Sequence, residues 1–368
     1  MHDATTPPSR DDARLRYASS ELLEREAGLA PLIANGVRCH GGFDADGRYR
    51  SPRTAHRMPA IRAWQAQLRR GGHPLIAIPN ALLPPHFPSV AQSKLLLQAG
   101  VREPIVRALT MISIVEGFGA IIRDVAVPDL SSLLVDGVDG DAGPLESTSL
   151  AHLGSGLFEA HARDEAGHKD EGGHKQMWEA ARDLALDKPK IPSDLLMRMM
   201  GRGRGGRSRE RLFPQLDGTL EQMLQSMVSV LVIEVFAART FDWGEKLLSD
   251  PAVSANPERA GAMVGYVRRD EEPHVEYLRT ALSEVRARTL KTVDGREIAG
   301  KHIVDRILHR TLSALTTERP KLQRENVRAT LAEAMRAAGK GDSLLERFDA
   351  LDVAWTAPTR TGFEADAA

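Results

Sequence analysis

The chain has 368 residues, with 49 Lys and Arg against 50 Asp and Glu, and a formal net charge of −1. That balance gives no electrostatic case for nucleic acid or an anionic membrane surface as partner. The single cysteine, Cys39, excludes an intramolecular disulfide, a Cys-based zinc site, a rubredoxin-like module and an iron–sulfur cluster held by one chain. Met1 to Arg16 is polar and lacks the apolar run of a signal peptide. The most apolar stretch, Pro104 to Val127, is broken by Arg107, Glu116, Arg123 and Asp124 and does not read as a membrane span. The expectation is a soluble, cytoplasmic, mostly helical protein.

In chain order, residues 1–20 read as disordered and Glu21 to Ala34 as a short helix. Residues 36–58, rich in Gly, Arg and His without a period, read as loop, and Pro59 to Arg70 as helix. Pro74 to Pro79 is a short apolar run, extended by expectation. Helices follow over Ser93 to Gln98 and from Glu103 to about Val127; the second carries the stripe Ile105, Leu109, Ile112, Glu116, Ala120. A Gly-, Asp- and Ser-rich loop, Pro128 to Thr148, leads to a helix from Ser149. Its stripe is Leu150, Leu153, Leu157, His161, Glu165, His168. Beyond Asp170-Glu171-Gly172-Gly173-His174 the apolar positions Met177, Trp178, Ala181, Leu184 and Ala185 are rotated by roughly half a turn, so the glycines mark a kink or bulge.

Lys188 to Asp217 is a linker whose basic part, Arg202 to Arg211, reads as a solvated loop, with a docking site for an acidic electron-transfer protein as the alternative. Gly218 to Ser249 forms a long helix with the stripe Met227, Val230, Leu231, Glu234, Ala237, Ala238, Phe241. Ala260 to Arg286 forms another, with Ala260, Val264, Val267, Glu271, His274, Val275, Leu278 and Leu282 on one face and Pro273 inside it as a source of bending. Helices over Lys301 to Thr317 and Arg324 to Ala338, then a frayed tail from Ala357, complete the chain. The division expected is an N-terminal extension (1–90) packed on the core, a central helical core (91–290) and a C-terminal helical extension (291–368).

Four long helices thus carry Glu116, then Glu165-x-x-His168, then Glu234, then Glu271-x-x-His274. Each polar side chain sits in the middle of an apolar stripe, where an unpaired carboxylate costs several kcal/mol. Glu and His at i and i+3 point the same way, and four carboxylates with two imidazoles make a site for two transition metals. Alternatives stay open at this point. Helix two also offers Glu171-x-x-His174, favoured by the later apolar stripe. His161, four residues before Glu165, is a further ligand or a hydrogen-bond partner of one. Asp164 and Asp270, each just before a ligand Glu, are candidates to orient a ligand His. A mid-stripe Glu can equally pair with a buried Arg. Trp178 and Trp243 read as packing, and Phe118, Phe236, Gly117 and Gly119 as core or pocket lining.

On these six positions, residues 100–288 resemble the ferritin-like di-iron carboxylate oxygenases and oxidases. His161 adds a more distant similarity to the seven-ligand sites of N-oxygenases related to p-aminobenzoate N-oxygenase, which carry the extra His on the fourth helix. The resemblance implies an all-α, ferritin-like four-helix bundle with extra helices at both ends. It implies two Fe ions (Fe/Mn or two Mn as alternatives), O2 as co-substrate, and hydroxylation, N-oxygenation or oxidative C–C cleavage of a small organic substrate. The electrons then come from an external donor, a ferredoxin or reductase, and a homodimer is an option. The competing readings are a ferroxidase or di-manganese catalase, and a non-enzymatic helical interaction protein.

Overall fold

Apolar spacing of three and four residues shapes most of the molecule. The computed structural model describes residues 14–135, 143–195, 210–316 and 318–355, and it is 63% helix and 8% strand. The N-terminal portion holds an antiparallel meander of β1 (Ala30–Ala34), β2 (Val37–Phe43) and β3 (Tyr49–Arg50), then helix α1 (Thr54–Arg70). Helix α2 (Val90–Gln98) opens on a reciprocal cap between Ser89 and Gln92. Helix α3 (Glu103–Gly119) begins at Pro104, where the missing N–H costs nothing.

The second long segment is split. A tight 3-10 turn (Ser149–His152) and a wide π-helical turn (Leu153–Phe158) lead into α4 (Glu159–Ala166), and after a loop α5 runs from His174 to Leu186. Helix α6 (Gly218–Leu248) is the longest, capped by the Asp217 carboxylate on the amides of Thr219 and Leu220. The fourth segment is also split, into α7 (Pro257–Asp270) and α8 (Glu272–Arg286). Strands β4 (Leu134–Val135), β5 (Thr289–Lys291) and β6 (Glu297–Ala299) pair in a second small sheet, followed by α9 (Gly300–Thr316), α10 (Glu318–Ala337) and α11 (Gly341–Ala350).

Several expectations are corrected here. Residues 36–58 hold β2, β3 and the start of α1 in place of a loop; β2 lacks an alternating pattern because four consecutive residues, Cys39 to Gly42, are buried. Ala30–Ala34 is strand where helix was expected. Helix α3 tightens after Gly119 into a short 3-10 turn, and the helix through Pro273 is interrupted at Glu271. The expectations for residues 1–13, for Arg202 to Arg209 and for the tail from 356 lie outside the described residues. Arg211, at the end of that linker, pairs with the buried Glu221.

Helix α3 packs on α4 and α5, α5 on α7, and α6 on α7 and α8, while α1 and α9 cover α8. The apolar interior forms two clusters. One gathers Leu157, Phe158, Met227, Leu231, Tyr277 and Leu278 with Trp64 of α1 and Ile303 of α9; the other gathers Leu109, Met177, Trp178, Phe241, Leu247 and Val264. Each long segment runs from one cluster to the other, so the extensions share the central core. Among the described residues two helices are long and apolar enough by composition to cross a membrane, Glu103–Asp124 and Gly218–Leu248, and both are among these segments.

Candidate metal centre

Where the four segments cross between the two clusters, each presents a carboxylate: Glu116 from α3, Glu165 from α4, Glu234 from α6 and Glu271 from the α7–α8 joint. Three imidazoles join them, from His161, His174 and His274, all fully buried. Glu165 Oε1 lies 3.2 Å from both His174 Nδ1 and His274 Nδ1, and 3.7 Å from His161 Nε2. Glu271 spans two imidazoles, with Oε1 3.0 Å from His174 Nδ1 and Oε2 2.7 Å from His274 Nδ1. Glu116 lies 3.6 Å from His174, and Glu234 3.3 Å from His161 Nε2. The His161 and His274 rings stack in parallel with centroids 3.8 Å apart.

Among the described residues three groups could hold a metal ion: His161, Glu165, Glu234 and His274; Glu165, His174, Glu271 and His274; and, behind these, His40, His174 and Asp270. His161 Nε2, His174 Nδ1, Glu165 Oε1 and Glu271 Oε1 are buried without a hydrogen-bond partner. Such atoms are costly unless something not a hydrogen bond satisfies them. Among the described residues no Lys or Arg pairs with any of the four carboxylates, which removes the reading of mid-stripe Glu as partners of buried arginine.

The carboxylates and imidazoles of the cluster shift one another's protonation. Burial and the neighbouring Glu165 push the Glu116 carboxyl up to about 8, and burial with Glu271 and Glu165 raises Glu234 well above its ordinary range. Burial would also raise Glu271, but the charges of His174 and His274 outweigh it and hold it below its ordinary range. Burial would lower His174 and His274, yet the surrounding carboxylates raise both. Four carboxylates and three imidazoles sharing protons at these distances form a donor set of oxygens and nitrogens that suits divalent iron or manganese.

Helix two differs from the sequence expectation in one respect. Glu165 is in the cluster, but its partner is His174, and His168 lies outside. After Gly167 (φ +84°) the chain turns tightly, with His168 and Glu171 exchanging both backbone hydrogen bonds at 3.0 and 3.1 Å. Three-residue spacing carries a side chain to the same face only in a continuous helix, and this helix ends at Ala166. Glu171 likewise points away and pairs with Arg25. A Cβ at Gly173 would stand 2.4 Å from Asp164 O, so only glycine lets α5 start this close to the end of α4. Gly119 has a similar role: a Cβ there would meet Glu165 Cγ at 2.6 Å.

The two aspartates sit behind the imidazoles in a crossed arrangement. Asp164 of segment two reaches His274 Nε2 of segment four at 3.2 Å, and Asp270 of segment four faces His174 Nε2 of segment two at 3.6 Å. Asp164 is held by two buried guanidiniums, Arg53 and Arg57; burial alone would raise its carboxyl, but these charges hold it well below the usual carboxylate range. Asp270 Oδ2 accepts from the Tyr49 hydroxyl at 2.6 Å and from His40 Nε2 at 3.0 Å. His161 Nδ1 meets the Tyr277 hydroxyl at 3.1 Å, which leaves Nε2 facing the cluster.

His40, Tyr49, Arg53, Arg57 and Tyr277 were missed from sequence. Arg57 left a signal, since it shares a helical stripe with Ile61, Trp64 and Leu68, all buried. His40 left none: its position depends on the turn after α4, whose Gly172 bonds to β2 through Gly172 N–Arg38 O at 2.8 Å and His40 N–Gly172 O at 3.0 Å.

No protein-family model matches this chain, and neither does any curated protein or solved structure.

Proposed function

We propose that this chain is an O2-activating, non-haem di-iron oxidase or oxygenase on a ferritin-like four-helix core, acting on a small organic substrate in the cytoplasm. One observation carries the reading: four carboxylates and three imidazoles meet in a buried layer, and among the described residues no Lys or Arg pairs with those carboxylates. Glu116, Glu165, Glu234, Glu271, His174 and His274 would hold the two ions, and His161 would be the seventh residue of the set. When bound, two iron ions supply dioxygen activation, with two electrons from an external donor of the ferredoxin or reductase type.

The chain's own contribution is positional. Tyr277 and Asp164 hydrogen-bond the outward nitrogens of His161 and His274, which keeps their inward nitrogens available as lone pairs, and Asp270 faces the outward nitrogen of His174. The apolar clusters on either side keep bulk water out and strengthen every charge interaction within. A cavity of about 430 Å³, lined by Glu116 and by Met111, Ile112, Val115, Ile233 and Phe236, opens beside the cluster. A ferroxidase or a catalase needs only water-sized access, so this apolar room supports the organic-substrate reading over both.

The test is metal content per chain after iron-supplemented expression, beside a Glu116→Ala/Glu271→Ala double variant. Two irons per chain, lost in the variant, are expected. Two manganese would transfer the reading to the catalase class, and no metal after anaerobic Fe(II) reconstitution would overturn it.

A further inference from the structure

The cavity beside Glu116 adjoins two others, of about 490 and 870 Å³, and His86 lines all three. Its ring is fixed twice over. It stacks on Trp243 with centroids 4.1 Å apart, and Nδ1 lies 2.9 Å from Pro88 O. A carbonyl only accepts, so Nδ1 carries the proton. Burial lowers the His86 pKa and keeps the ring neutral, which leaves Nε2 a bare acceptor. Among the described residues no hydrogen bond reaches Nε2. The walls around it are mostly apolar: in the cavity that reaches the cluster Thr240 and Gln323 are polar, and the ionisable neighbours besides His86 are Glu116 and the exposed Arg239.

We propose that the substrate of this site is an uncharged, largely apolar molecule bearing one hydroxyl or amine N–H, which donates to His86 Nε2 while its apolar body fills the cavity toward Glu116. A fully apolar molecule leaves a part-buried acceptor unsatisfied, and a carboxylate would set a second acceptor against it. The large adjoining cavity, walled by Phe87, Ile105, Ala108, Val327 and Leu331, gives room for extension beyond the donor. The proposal rests on the di-metal reading only in naming this cavity as the substrate site; the recognition itself needs no metal.

The experiment is calorimetric titration of the full chain with 4-butylphenol and with 4-butylanisole, which keeps the ring and the oxygen and lacks only the donor. The phenol should bind about five- to tenfold more tightly, the range of one net hydrogen bond. His86→Phe keeps the ring on Trp243 and should erase the preference while retaining anisole binding. His86→Leu, which brings no acceptor, should do the same and serves where the Phe variant misfolds. Equal binding of the two probes by the native chain, or a preference that survives both variants, overturns the proposal. Metal content measured on the same samples separates the outcomes: intact preference without metal sinks only the di-iron reading, and two metals without preference sinks only this one.

Discussion

The second and fourth helical segments carry the same acid pair, Asp164-Glu165 and Asp270-Glu271, yet reach their histidines differently. In segment four His274 follows Glu271 by three residues, across a joint so small that α8 begins at the next residue. In segment two the helix stops at Ala166, and a seven-residue loop, 167–173, intervenes before His174. Both histidines nevertheless present Nδ1 to the same two carboxylates. A ligand pair is therefore set by where the backbone re-enters the layer and not by spacing along the chain. The loop is tolerated because β2 grips Gly172 and because Gly167 and Gly173 permit the turn.

The sharpest way to break that comparison is to remove the two histidines of segment two in turn. His174→Ala should lose at least one metal per chain in elemental analysis, and with it any oxidase activity. His168→Ala, outside the cluster, should keep both metals and stay within about 0.5 kcal/mol of native stability. If His168→Ala lost the metal and His174→Ala kept it, the loop register described here would be wrong.

The crossed aspartates offer a second, smaller contrast. Asp164 is held by charge, through Arg53 and Arg57, whereas Asp270 is held by the neutral partners Tyr49 and His40. Arg57→Met strips a buried carboxylate of a charged partner and should cost about 3–5 kcal/mol in denaturant unfolding. Tyr49→Phe removes one hydrogen bond and should cost only about 1 kcal/mol. Either variant should also weaken metal binding, by roughly 10- to 100-fold if orientation of the histidine is lost. Equal costs for the two would mean that the electrostatic difference between the aspartates has no consequence.

The helical character of the core and five of the seven clustered side chains were legible because a mid-stripe carboxylate or imidazole on a continuous helix announces itself. Glu116, Glu165, Glu234, Glu271 and His274 stand out in this way, and His161 and His174 were visible only as alternatives. His168 misled because the period was extended through a turn that ends the helix. The meander behind Asp270 was illegible for another reason. Its residues are not organised by an apolar period, and their partners lie 221 and 230 positions away. Only the folded chain brings Tyr49 and His40 to the back of a ligand.

Beyond the layer of clustered Glu and His the same two segments meet again, and a weaker effect there can be separated from the cluster. Glu284 of α8 is buried and accepts from Ser149 N at 3.1 Å, Ser149 Oγ at 2.6 Å and Leu150 N at 3.2 Å, at the start of segment two. Burial pushes its carboxyl up to about 7 from an ordinary 4.5, the Ser149 contacts offsetting only part of the effect. A carboxyl raised in the folded state holds its proton where the unfolded chain has already released it. Its contribution is therefore most favourable below pH 4.5, declines as pH rises toward 7 and is lost above it. The decline is at most about 3 kcal/mol, a few degrees in Tm for a chain of this size. Glu284→Gln cannot ionise, so its melting temperature should fall less than that of the native chain between pH 5 and 8, whatever the absolute offset from altered hydrogen bonding. Parallel profiles would show that Glu284 is ionised throughout, and that Ser149 and Leu150 compensate its burial as fully as a metal would compensate Glu271.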